Sequence, residues 1–92
     1  MTPVSDDTES LLQFPCDFPI KIMGHTSDGL AQEILAMVLR HAPDFDSKTM
    51  EMRASAKGNY LGLTCTIRAR SRSQLDALYR ELSGHPLVKV VL

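Results

Sequence analysis

Apolar residues recur in this chain with two different periods, and each change of period marks a new element. Phe18, Ile20 and Ile22 alternate with Pro19, Lys21 and Met23, the rhythm of a half-buried strand. Pro19 lacks an N–H and belongs near the strand's start. Gly24 is expected to end the strand, His25 to Gly29 to form the turn, and Ser27 or Asp28 to cap the first helix. Leu30, Ile34, Met37, Val38 and His41 then fall at helical spacing, with Ala31 and Leu35 widening the stripe. Arg40 and His41 occupy the last turn, where the helix dipole favours cations. Pro43 stops the helix, and Asp44 to Lys48 reads as a polar loop.

The strand period returns at Met50, Met52 and Ala54, which alternate with Thr49, Glu51 and Arg53. Ser55 to Asn59 is a hairpin connection in which Gly58 and Asn59 are suited to positive φ. A third strand comes next, with Leu61, Leu63, Cys65 and Ile67 on one side and Tyr60, Gly62, Thr64, Thr66 and Arg68 on the other. Ser71 to Gln74 has the form of a capping box, Ser71 capping a second helix and Gln74 reaching back. Leu75, Leu78, Tyr79 and Leu82 make that helix's stripe, Gly84 its stop, and Pro86 forbids continuation. Leu87 to Leu92 is a last strand with Val88, Val90 and Leu92 on one face.

The order βαββαβ, with right-handed crossovers, specifies an α+β ferredoxin-like fold. Its four-stranded antiparallel sheet has strand order 4-1-3-2 and carries both helices on one face. Residues 11–92 are expected to form this one domain, and residues 1–10 a mobile acidic tail. The topology sorts the loops to two ends. One end holds the turn after strand one, the hairpin and the Gly84–Pro86 turn, so that Met23–Gly24 is expected beside Asn59–Tyr60. The other holds the loop from Pro43 and the turn carrying Arg68, Arg70 and Arg72.

Several blocks carry a resemblance. Phe14-Pro15 with Phe18, Ile20 to Gly24, Arg40 to Pro43, Ser55 to Tyr60, Thr64 to Ile67 and Val88 to Leu92 are similar, in this order, to the bacterial YbeD-like family. The similarity runs from about Leu11 to Leu92. It implies a ferredoxin-like fold close to the regulatory ACT domain, a bacterial origin and no catalytic residues. By analogy with ACT domains it implies a ligand near the loop after strand one, at Gly24, His25 and Asp28. Gly58 and Asn59 of the neighbouring hairpin extend that candidate site.

Charge sharpens the picture. The 92 residues sum to −1, but the acids up to Asp17 meet no base, and the rest of the chain is +3. Residues 53–80 hold six of the ten bases and one acid, which makes Arg68, Arg70 and Arg72 a candidate partner-binding ridge. Val90, on an apolar edge strand, is a candidate contact for a protein partner or for a second copy pairing edge to edge.

Other chemistries fit poorly. The loop after strand one has no cysteine for a metal-chaperone pair, and its histidine and acid make a weak ligand set with His85. No arginine lies between Met23 and Leu30 to cradle a phosphate as acylphosphatases do. Ser27, His25 and Asp28 are explained by a turn without invoking a nucleophile. Trp is absent and only Tyr60 could stack on the open sheet face, so nucleic acid stays the weaker alternative, through low-affinity phosphate contacts of Arg68, Arg70 and Arg72. No enzyme activity, metal or cofactor is therefore expected. Cys65 reads as a buried thiol and Cys16 as a loop residue. No stretch of 18 apolar residues occurs, and the opening residues are acidic rather than basic, so a cytoplasmic protein is expected.

Overall fold

Two ten-residue strands form the centre of the sheet in the computed structural model, which describes residues 13–92. β1 (Cys16–His25) pairs antiparallel with β3 (Tyr60–Ala69) along its whole length, from Cys16 opposite Ala69 to His25 opposite Tyr60. β2 (Glu51–Ala54) flanks β3 and β4 (Val88–Val91) flanks β1, giving the order β2-β3-β1-β4. That is the expected 4-1-3-2 order read from the opposite edge, and the fold is ferredoxin-like. The expected tail, residues 1–10, lies outside the described residues.

The helices α1 (Leu30–His41) and α2 (Arg72–Ser83) cover one face. Ile20 and Ile22 from β1, Leu63, Cys65 and Ile67 from β3, and Leu30, Ile34, Val38, Leu78 and Leu82 from the helices are almost fully buried there. The alternation in β1 and β3 and the helical stripes thus meet in one core. Their partners in the alternation, Lys21, Met23, Thr66 and Arg68 among them, point to the uncovered side.

The local devices differ from expectation in instructive ways. β1 does not end at Gly24 but reaches His25, and it begins at Cys16, which is therefore a strand residue. Neither Ser27 nor Asp28 caps α1 with its side chain; Gly29 stands at the N-cap, and Ser27 contributes only its carbonyl, to Leu30 N. Asp44 to Lys48 is not simply a polar loop. Phe45 inserts into the core, and Ser47–Thr49 forms one 3-10 turn capped by Asp46 Oδ1, which accepts from Lys48 N at 3.0 Å.

The capping box of α2 is half of one. Ser71 Oγ accepts from Gln74 N at 3.1 Å, but Gln74 Oε1 accepts from Arg70 N instead of Ser71 N. Its Nε2 donates to His41 O at 2.8 Å, so one amide ties the end of α1 to the start of α2. Gly84 ends α2 with right-handed dihedrals, and Asn59 too avoids positive φ; among the described residues only Gly58 has it, at 77°.

In β4 the expected shared face of Val88, Val90 and Leu92 is broken. Met23 faces Val90 while Gly24 faces Val88, a bulge that turns Val88 toward the core and leaves Val90 and Leu92 on the open side.

Candidate functional site

The loop end comes first. Gly24 is buried because β4 leaves no room beside it: a Cβ there would lie 2.6 Å from Leu87 O. His25, not Met23–Gly24, lies opposite Tyr60; the register is displaced by two residues from the expected one. The His25 and Tyr60 rings are 5.1 Å apart, and Thr26 N donates to Asn59 O at 3.0 Å. Asp28, Gly58 and Asn59 are exposed.

His85 is engaged by Leu87 and by Glu33 of α1. Leu87 N donates to His85 Nδ1 at 3.1 Å, so the ring proton sits on Nε2 and is donated to Glu33 Oε1 at 2.6 Å. Among the described residues no group of three His, Cys, Asp or Glu side chains is arranged to hold a metal ion.

At the opposite end, each ridge arginine meets a carboxylate. Arg68 Nη1 lies 3.2 Å from Asp17 Oδ1, Arg70 Nη2 2.5 Å from Asp44 Oδ2, and Arg72 Nε 3.5 Å from Asp76 Oδ1. Two of those acids come from far away in the chain. Three of the six bases counted over residues 53–80 are thus paired in space.

The uncovered face of the sheet holds a concavity of about 490 Å³. Its floor is set by the register. Arg53, Gly62, Met23 and Val90 form one row across the four strands, and Glu51, Thr64, Lys21 and Leu92 the next. Gly62 contributes no side chain, which leaves a dip between Arg53 and Met23. Met23, Val90 and Leu92 are 48%, 43% and 70% exposed and make an apolar stripe beside it. The sequence placed Lys21, Met23, Gly62 and Thr64 on this face but did not single it out as a site. The available signal was a glycine inside an otherwise regular strand.

The family model described as a protein of unknown function, DUF493, matches residues 9–92. The chain belongs to the DUF493 family. Among the relatives of this DUF493 chain, the UPF0250 protein of Nitrosomonas europaea is 56% identical over 84 residues, 91% of this chain and 97% of that protein. The UPF0250 protein of Ralstonia nicotianae is 55% identical over 91 residues, 99% and 94% of the two chains.

The resemblance read from the sequence is therefore to the right family, and its relatives are bacterial. In structure, the DUF493 chain is similar to the ACT domain from GTP pyrophosphokinase of Chlorobium tepidum. The solution structure gives a TM-score of 0.64 at 20% identity, covering 83% of this chain and 84% of that one. The crystal structure gives 0.58 at 22% identity, covering 84% and 97%. These likenesses concern the fold. No helix among the described residues is long and apolar enough to cross a membrane.

Neither thiol belongs to the concavity. Burial pushes the Cys65 thiol from its ordinary value near 9 up to about 11. A raised folded value means the folded state holds its proton longer than the unfolded chain does. The corresponding stability is therefore complete below pH 9 and lost as the pH rises toward 11. Chemical unfolding between pH 8 and 11 is expected to show that loss, and a Cys65→Ala variant to lack this share of it. At pH 8 a thiol reagent is expected to modify the half-buried Cys16 readily and Cys65 only after unfolding.

Proposed function

We propose that residues 11–92 form one small binding module, without chemistry of its own, that works through the open face of its sheet. Gly62 carries this reading. A glycine within a strand gives up about 0.5–1 kcal/mol relative to alanine. Such a glycine is usually explained by a special backbone conformation, a close internal approach, or an approaching ligand or backbone. Gly62 has no positive φ, and a Cβ there would meet only Arg53 O, at an ordinary 3.5 Å. The fold itself makes no demand for it, whereas an occupant of the concavity does. The ACT-like fold supports a regulatory task for such a module, by analogy alone.

The alternative is a small ligand at Gly24, His25, Asp28, Gly58 and Asn59. It is weaker because both of its glycines have structural duties, Gly24 against Leu87 and Gly58 at φ 77°. A basic-ridge adaptor is weaker because its arginines are already paired.

Affinity capture from native cells separates these readings. Gly62→Val is expected to remain as stable as the natural protein, valine being a good strand former, and to retain at least about tenfold less partner. A His25→Ala, Asn59→Ala double variant is expected to retain partner normally. The opposite pattern overturns the reading in favour of the loop end.

A further inference from the structure

The proposed docking face also carries a record of what it docks. We infer that the concavity over Gly62 receives an acidic amphipathic helix of a partner protein, an inference that rests on the open-face reading above.

Charge supplies the sign. Among the described residues, Arg40, Arg68, Arg70 and Arg72 have carboxylate partners, whereas Lys21, Lys48, Arg53, Lys57, Arg80 and Lys89 have none within 4 Å. Lys21 and Arg53 line the concavity, where Glu51 is the one acidic side chain. Lys57 in the adjoining hairpin and Lys89 beside Val90 are exposed and add to the same sign. Four of the six bases without a carboxylate partner, Lys21, Arg53, Lys57 and Lys89, thus lie in or beside this face. A partner segment that fits it brings acids to flank its apolar residues.

Shape supplies the form. An added strand would need a sheet edge, and the edge beside Val90 is blunted. β4 is four residues long, bulged at Met23/Gly24, and carries Lys89. These are the devices by which edges avoid strand addition. The face is better suited. Val90 and Leu92 project about 6.8 Å apart along the strand, close to the rise of about 6 Å between residues i and i+4 of a helix. Met23 lies beside Val90 on the neighbouring strand. A helix would set its apolar stripe on Met23, Val90 and Leu92, approach closely over Gly62, and reach Lys21 and Arg53 with carboxylates. It would complete a third layer on a sheet that, among the described residues, has helices on one side only.

The test uses the full chain, isotope-labelled, and two designed helical peptides of about 20 residues, long enough to hold a helix. Both carry leucines at i, i+3, i+4 and i+7; one has glutamates flanking the stripe and the other lysines. The acidic peptide is expected to bind at least about tenfold tighter than the basic one, with amide shifts centred on Lys21, Met23, Arg53, Gly62 and Val90. Gly62→Val is expected to abolish binding, and the Lys21→Glu, Arg53→Glu double variant to reverse the peptide preference.

Equal binding of the two peptides, or shifts centred elsewhere, overturns the inference. If neither peptide binds while capture from cells still requires Gly62, the partner class is wrong and the open-face reading survives. A concentration-dependent dimer in sedimentation, abolished by Val90→Glu, makes a second copy the occupant instead. Acidic-peptide binding that emerges only after Asp6, Asp7 and Glu9 are neutralised makes the chain's own opening residues the occupant. Either of these last results also overturns the inference.

Discussion

Gly24→Ala is expected to destabilise the protein by about 2–4 kcal/mol, although it adds a single methyl group. The added Cβ would meet Leu87 O at 2.6 Å and Leu30 Cδ2 at 3.3 Å. The leucine side chain has some freedom to move, but the carbonyl is backbone. It also accepts from His25 N at 2.8 Å, holding the start of β4 against β1. Relief requires β4 to withdraw. Overpacking typically costs about 1–3 kcal/mol, and a weakened hydrogen bond adds about 0.5–1.5 kcal/mol. Urea unfolding measures the loss, and at about 4–8 °C per kcal/mol for a domain this small the melting temperature falls visibly. An unchanged midpoint would mean that β4 is not held where the register puts it. Gly62→Ala, by contrast, is expected to be neutral or slightly stabilising. The two glycines sit in paired strands and differ only in what stands over them.

The second large effect compares two residues in one row of the sheet. Met52, Leu63, Ile22 and Val91 are aligned across the four strands on the helix-facing side. Leu63 is 1% exposed and Met52 60%. Leu63→Ala removes a side chain enclosed on all sides and is expected to cost about 2–5 kcal/mol. Met52→Ala is expected to stay within about 0.5 kcal/mol, as for an exposed position. Equilibrium unfolding of both variants under one condition checks the contrast. A large loss at Met52 would mean that the helices extend over β2.

Met52 also marks where the sequence stops being informative. Alternation reveals which face a residue points to, and Met52 points to the helix side just as Leu63 does. Whether that side is covered depends on where the helices end, which is a tertiary fact. All four residues of β2 are exposed, though they alternate as those of a half-buried strand do. The element order and sheet topology, in contrast, were legible, because βαββαβ with right-handed crossovers leaves few solutions.

The pairing of the ridge arginines was illegible for a different reason. Charge counted over residues 53–80 ignores Asp17 and Asp44, which the fold brings to Arg68 and Arg70 from outside that window. The expected cap at Ser27 or Asp28 failed because the chain enters α1 through Gly29 instead. The open face was half legible. Alternation assigned Lys21, Met23, Gly62 and Thr64 to it, but the bulge that adds Val90 and Leu92 without Val88 exists only in the pairing.

The sheet's unequal strands have a dynamic consequence. β2 and β4 both flank the same half of the long central pair, so Lys21–Gly24 and Leu61–Thr64 have a paired strand on each side, while among the described residues the half toward Cys16 and Ala69 is two strands wide. Local opening is easiest where backbone hydrogen bonds are least enclosed. Amide exchange should therefore be fastest toward Cys16 and slowest around Ile22 and Leu63, directly beneath the concavity. The surface proposed to receive a partner is thus mounted on the part of the sheet expected to open least. Binding there spends little on ordering the receptor, and a disturbance on that face is carried by a stiff plate rather than lost in a loop.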